Sequence, residues 1–405
     1  MIRYLPLLLC FYCTTLTAQN ERFEITPLGN GRQFDSAWDL EYGPDDYLWV
    51  SERELGQLVR IDPETAARDV LLTITDVYAN ASQDGLLGFA LHPALRDTAP
   101  YVYLSYTYQV NDERQQRLVR YTYQETMDGT DGTLSDPIIL LEGMPASNDH
   151  NSGRLIYGPD AKLYYTIGDQ GGNQGRNYCN RILSQVLPTQ AEVDAQDWRN
   201  YPGKTLRLNL NGSIPDDNPL LNGVRSHVFT YGHRNAQGIV FGRNGRLYSD
   251  EHGPDTDDEV NVLTAGKNYG WPRVVGFRDD QAYDFCDWST LSNCPDLEYD
   301  KFNCPDDATF QEESTLTDTN YQEPLYAMFA VTDDYDFNGP GCADSWVCRP
   351  NVAPSSIAIY ESDGIPAWNN SLLVVSLKRG YVYRLQLNDE GTAVVGDTTR
   401  HFYTG

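Results

Sequence analysis

One short unit recurs along this chain: a Gly-Pro-Asp or Gly-x-Asn turn, then a strand that alternates apolar and aromatic residues. Three copies are Gly43–Glu52 (G-P-D-D-Y-L-W-V-S-E), Gly158–Asp169 (G-P-D-A-K-L-Y-Y-T-I-G-D) and Gly242–Glu251 (G-R-N-G-R-L-Y-S-D-E). A late copy runs from Trp368 to Arg379, and a diverged one leads from Gly88 through His92-Pro93 to Tyr106. Gly, Pro and Asn set the turn, and period-two alternation gives the strand a face to bury. Another strand follows each copy, as in Tyr381–Leu387. Such a unit cannot bury its face alone and must stack on its neighbours. The copies are spaced mostly near one propeller blade, roughly 40–50 residues plus insertions. The chain is therefore expected to be all-β, a single β-propeller of four-stranded antiparallel blades around a central channel, and six blades fit its length best. A pair of β-sandwiches is the alternative. The segment from Phe277 to Pro350 is the least regular and is read as insertions on one blade.

Residues 1–19 read as a secretory signal, in which Arg3 precedes a short apolar run and small residues lead to Ala18. That run is too short to span a bilayer and no later run is long enough. Residues 20–405 are thus expected to form one exported domain, periplasmic or secreted, with no membrane span. Apart from Cys10 and Cys13, six cysteines remain: Cys179, Cys286, Cys294, Cys304, Cys342 and Cys348. An even number in an exported chain favours disulfides. Cys342 and Cys348 are close enough to close a small loop, and the other four can pair in several ways. No CxxC pair supports a zinc site. The formal net charge of −28 argues against nucleic-acid binding, which needs a basic face. The acids either form a solvated surface or, in clusters such as Asp255, Asp257, Asp258 and Glu259, bind calcium. Composition leaves both readings open.

Few histidines are available for chemistry. His92, His227 and His401 read as packed or surface residues. His150 differs, because it follows Asp149 in a polar loop at the mouth of a repeat. A neutral imidazole beside a carboxylate is a good general base near neutral pH, and Asp149 or Asp169 could orient the ring. In Tyr231–Gly238 several side chains can donate hydrogen bonds from one loop, and Arg234 offers a permanently charged fork for a carboxylate or quinone oxygen. Glu251–Glu259 combines a Gly-Pro turn with several carboxylates, an oxygen-rich set that suits calcium. Lys378 is a fourth candidate.

Together, Gln83–Phe89, Asp149-His150 with Ser152–Leu155, Gly168–Gly171, Gly203–Leu210, Gly232–Asn235, Gly253-Pro254, Lys267–Pro272, Ala353–Ser356 and Ser376–Gly380 resemble, in order and over nearly the whole chain after the leader, the soluble quinoprotein glucose dehydrogenases. Those enzymes use pyrroloquinoline quinone (PQQ) on a six-bladed propeller. The resemblance implies that His150 takes the proton from the anomeric hydroxyl of an aldose, with glucose first among the candidates. Asp169 would support His150, and Gln83, Asp149 and Gln174 would line the sugar pocket. Arg234 would act in catalysis by stabilising charge that develops on the quinone, and Arg234, Asn235, Gln237, Lys378, Trp346 and Asn351 would hold the cofactor. Calcium would sit on the carbonyls of Gly253 and Pro254, with further metal ligands among Glu259, Tyr269, Val275, Phe277 and Asp279. Partners would be the sugar, an external quinone-type electron acceptor and, as often in the family, a second copy in a homodimer. Three departures stand out. Arg349 replaces a tryptophan, His252 replaces a glutamine, and the family pattern runs on beyond Gly405 with a PQQ-gripping arginine pair, so either the last blade is cut short in this sequence or the ring closes differently. A broader aldose or sorbosone oxidiser is the runner-up, and a non-catalytic propeller that binds carbohydrate or protein is the reading from another class.

Overall fold

The computed structural model describes residues 26–29, 34–126, 129, 131–337, 339, 348–378, 380–396 and 399–402. The expected leader and Trp346 lie outside them, as does Cys342, so the Cys342–Cys348 pairing does too. The described residues form five four-stranded antiparallel sheets, each a simple meander in chain order. Blade 1 comprises Ala37–Tyr42, Leu48–Glu52, Gln57–Ile61 and Arg68–Thr73; blade 2 comprises Leu86–Leu91, Tyr101–Val110, Glu113–Glu125 and Gly132–Pro145. Blade 3 is built from Ser152–Tyr157, Lys162–Ile167, Lys204–Asn209 and Val228–Tyr231. Blade 4 takes Ala236–Phe241, Leu247–Glu251, Asp258–Leu263 and Tyr326–Met328, and blade 5 Pro354–Tyr360, Ser371–Ser376, Tyr381–Gln386 and Thr399–Phe402.

The expected β-propeller is present, but with five four-stranded blades among the described residues where six were expected. Each of the five sequence copies supplies one blade; the sixth came from length and from the family resemblance, and no sequence copy marks it. That length lies in long connections, chiefly residues 168–203 in blade 3 and 264–325 in blade 4. The irregular segment also begins earlier than expected. It leaves blade 4 after Leu263 and returns at Tyr326. Two disulfides anchor it: Cys286–Cys304 lies within it, and Cys179–Cys294 ties it to the long connection of blade 3.

The repeated turn has a repeated cause. In blades 1, 3 and 4 its glycine N–H donates back to the start of the second strand: Gly43 to Tyr47 O (2.8 Å), Gly158 to Lys162 O (2.8 Å) and Gly242 to Arg246 O (3.0 Å). The turn's Asp or Asn then bonds the aromatic four residues on, as in Asp45–Trp49 (2.9 Å), Asp160–Tyr164 (3.0 Å) and Asn244–Tyr248 (3.0 Å). Those rings are buried between blades and carry the core. At the axis the inner strands approach backbone to backbone. A Cβ on Gly88 would lie 2.4 Å from Gly153 O, and one on Gly238 2.5 Å from Ile357 N, so only glycine fits at either position.

Every inner strand also holds one extra residue near its start. The register slips at Ala37/Asp39, Leu86/Phe89, Ala236/Gly238 and Pro354/Ser356, and in blade 3 between Ser152 and Leu155. These β-bulges all face one rim of the ring, and bulges re-aim the side chains next to them.

Candidate active site

In an antiparallel meander, entry to the first strand and exit from the second lie at the same end. The candidates sit at those positions. Gln83, Asp149-His150, Arg234-Asn235 and Asn351 precede inner strands of blades 2 to 5, whereas Asp169, His252–Pro254 and Lys378 follow second strands of blades 3 to 5. Folding therefore gathers them on one rim, around a cavity of about 1130 Å³ whose lining includes Gln83, Asp149, His150, Gln174, Arg234 and Asn235. Gln237, Gly253, Pro254 and Asn351 also border it.

His150 is buried and has a left-handed backbone (φ 48°), which turns its ring toward the axis. Its Nδ1 lies 2.7 Å from Asp169 Oδ1. Asp169 already accepts Gly171 N–H (2.8 Å) on the same oxygen and Trp271 Nε1–H (2.8 Å) on the other. A carboxylate surrounded by donors can only accept, so the imidazole carries its proton on Nδ1 and leaves the Nε2 lone pair toward the cavity. Gln174 Nε2 donates to that lone pair (3.1 Å) and reaches Asp149 Oδ2 (3.3 Å). Gln83 bridges the same loop, donating to Asp149 Oδ1 (2.6 Å) and accepting from His150 N (3.0 Å).

Arg234 is held by Gln174 Oε1 (2.8 Å) and His252 O (3.3 Å), and its guanidinium lies 5.3 Å from the centre of the Trp271 ring. Its Nε is buried and has no hydrogen-bond partner among the described residues. The permanently charged guanidinium lines the cavity wall, where it suits an anionic oxygen. Asn235 is less available than expected, because its Oδ1 already accepts from Ser152 Oγ (3.0 Å) and Gln237 Nε2 (3.0 Å). Lys378 Nζ is bonded to Asn351 Oδ1 and lies 3.4 Å from Arg349 O.

His252 Nε2 donates to Pro354 O (2.7 Å). Burial pushes its pKa down to about 3, reinforced by the charge of Arg234, so it stays neutral. The carbonyls of Gly253 and Pro254 accept no hydrogen bond among the described residues. Asp258 fixes this loop against blade 5 by accepting from Gly253 N (2.9 Å) and Ala353 N (2.8 Å). Burial raises Asp258 to about 6 and nearby Asp250 to about 7.

The remaining metal candidates lie away from this cavity, in the third strand of blade 4 and its insertion. Glu259 accepts from Gly276 N (2.8 Å), and burial, then Glu251, raises its pKa well above the carboxylate range. Tyr269 stacks on His233 with ring centres 4.8 Å apart. Val275 N and Asp279 N both donate to Glu313 (2.9 and 3.2 Å), whereas Phe277 is partly exposed. No group of three or more His, Cys, Asp or Glu side chains among the described residues is arranged to hold a metal. Sequence reasoning missed Glu313 and the role of Trp271. The Lys267–Pro272 motif was visible in the sequence, but nothing in it signals a bond to Asp169, 102 residues away.

A profile of the glucose/sorbosone dehydrogenases matches residues 34–291 and 319–402 of this chain. The chain belongs to that family. It is similar to quinoprotein glucose dehydrogenase B of Acinetobacter calcoaceticus, at 41% identity over 90% of this chain and 77% of the relative. Among solved structures it resembles a glucose dehydrogenase-like oxidoreductase of Thermus thermophilus (27% identity, TM-score 0.62, covering 92% of this chain and 85% of that one). It shares its fold with the PQQ-bound aldose sugar dehydrogenase of Streptomyces coelicolor (24% identity, TM-score 0.63, covering 93% and 84%). The family match spans all five blades, including the rim that carries His150, Asp169 and Arg234.

Proposed function

We propose that this chain is a PQQ- and calcium-dependent aldose dehydrogenase that oxidises the anomeric carbon of glucose or a related sugar to the lactone. One observation carries the reading: His150 is held by Asp169 so that a basic Nε2 faces the same cavity that the Arg234 guanidinium lines. The similarity to a quinoprotein glucose dehydrogenase supports it. Two disulfides fit an exported protein.

The donor set fits the cofactor. The Arg234 guanidinium, Asn351, Gln237 and Lys378 would hold its oxygens, and the unbonded carbonyls of Gly253 and Pro254 are hard ligands of the kind calcium takes. When bound, PQQ supplies the electrophilic quinone that accepts the hydride. His150 Nε2 removes the proton from the anomeric hydroxyl, and Asp169 offsets the charge the ring gains. Gln174 must first give up its hydrogen bond to Nε2, so the sugar hydroxyl takes its place. Gln83 and Asp149, locked to each other at 2.6 Å, present fixed groups to the neighbouring hydroxyls. Arg234 stabilises negative charge that develops on the oxygen it faces.

The test is dye reduction by glucose after loading with PQQ and calcium. His150→Ala should lower kcat/KM by about 10²-fold or more. No activity in the loaded protein would overturn the function, and full activity in the variant would overturn the mechanism.

A further inference from the structure

A second cavity, of about 520 Å³, adjoins the candidate active site and shares Gln174 and Pro254 with it. The long connection of blade 3 and the disulfide-anchored insertion of blade 4 form most of its wall. Rings dominate that wall: Trp271, Tyr283, Phe285, Trp288, Tyr299 and Phe302.

Apart from the Asp284 carboxylate, which accepts no hydrogen bond among the described residues, the polar groups of the wall are largely committed to one another. Asn173 donates to Cys286 O (2.8 Å) and accepts from Trp288 N (2.8 Å). Tyr283 Oη donates to Pro272 O (2.6 Å). Asp255 is paired with Lys301 and lies 3.3 Å from Arg349. Gln174 serves Asp149, His150 and Arg234. A sugar ring entering here would find its hydroxyls poorly matched, because such a site needs unspent donors and acceptors. A planar ring would find faces and edges to stack on. One of those rings, Trp271, also lies under the Arg234 guanidinium and donates to Asp169, so the cavity backs directly onto the catalytic group.

We propose that this cavity is the site of the external electron acceptor, a neutral planar aromatic quinone. The proposal rests on the dehydrogenase reading, which leaves two electrons to be removed after each sugar. The acceptor quinone takes two electrons and two protons from the reduced cofactor and leaves as the hydroquinone, and the cofactor returns to its oxidised form. The formal charge of −28 favours a neutral acceptor over an anionic one at low ionic strength.

The test uses Phe302→Ala and Phe310→Ala. Both rings line the cavity and are 40% and 53% exposed, so neither is needed for folding, and neither lines the active pocket. With the loaded enzyme and saturating glucose, the KM for 1,4-naphthoquinone should rise about five- to tenfold, the loss expected for one or two aromatic contacts. With ferricyanide at screening ionic strength, kcat/KM for glucose should stay unchanged. As a readout independent of turnover, quenching of Trp271 and Trp288 fluorescence by naphthoquinone should weaken by the same factor, with or without cofactor. Unchanged KM and quenching in both variants overturns the proposal. So does a KM rise for maltose without one for naphthoquinone, which would make the cavity a sugar subsite. Inactivity of the unsubstituted protein with both acceptors overturns the dehydrogenase reading instead, and the quenching series then decides the cavity by itself.

Discussion

Asp169→Asn tests how the base is built. The carboxylate accepts three donors: His150 Nδ1–H and Gly171 N–H on Oδ1, and Trp271 Nε1–H on Oδ2. An amide can keep only one of its two faces as an acceptor. With its oxygen toward His150 and Gly171, it satisfies two donors and sets its NH₂ against the indole N–H. With the opposite orientation it forces the proton of His150 onto Nε2 and removes the base. The first orientation orphans fewer groups and should dominate. It leaves a buried donor unpaired, which costs about 1–3 kcal/mol of stability. It also replaces a charged hydrogen-bond partner by a neutral one when the imidazole takes its proton. Hydrogen bonds to charged groups contribute about 1.5–3 kcal/mol, so kcat/KM for glucose should fall roughly 10- to 150-fold. The assay is steady-state dye reduction by the PQQ- and calcium-loaded variant, alongside thermal unfolding. A variant with undiminished kcat/KM and a lowered melting temperature would refute the reasoning, because Asp169 would then be only a structural anchor for Trp271.

Arg154 reaches from blade 3 to Asp39 of blade 1, Gln237 O of blade 4 (2.9 Å) and Ser355 O of blade 5 (3.3 Å). Arg154→Ala strands buried Asp39 and should destabilise the fold by about 3–5 kcal/mol in urea unfolding, whereas Asp39→Asn with Arg154→Met should recover part of that loss. His227 is buried between Tyr201 Oη (2.9 Å) and Gly212 O (3.0 Å), and burial pushes its pKa down to about 4 from 6.5. Below pH 6.5 the unfolded chain takes up a proton that the folded one refuses, so stability falls as pH drops to about 4 and then levels off. The loss is about 3 kcal/mol, and it should be absent from the melting curves of His227→Gln. Replacing Cys179 and Cys294 by serine opens a loop of 115 residues. Chain entropy puts the loss at about 4–5 kcal/mol, and limited proteolysis should then cut the insertion of blade 4 first.

Local features were legible, and distant ones were legible only through resemblance. The turns of Gly43, Gly158 and Gly242 are closed by hydrogen bonds within four residues, so their sequence copies mark real blades. The count of six, taken from length and from resemblance, failed because residues 168–203 and 264–325 are long connections that add no four-stranded sheet. His150 and Asp169 flank a single hairpin, and strand pairing alone could bring them together. Gln83 meets His150 across two blades, Arg154 meets Asp39 across the axis, and Trp271 comes back from the insertion to hold Asp169. No periodicity encodes such meetings, because packing of whole blades decides them.

The extra residue at the start of every inner strand changes what a deletion does. Side chains of a strand alternate between faces, and a bulge shifts the phase of that alternation between the rim and the ladder below it. Removing the bulged residue near Gly238 would leave the ladder regular, and the chain could still close its ring. The loop above would meet that ladder one step out of phase, with Arg234 turned away from the cavity and its neighbour turned in. Fold and site are thus set by separate phases of the same strand. An insertion or deletion of one residue at the rim can leave the propeller intact and exchange the groups it presents to a ligand.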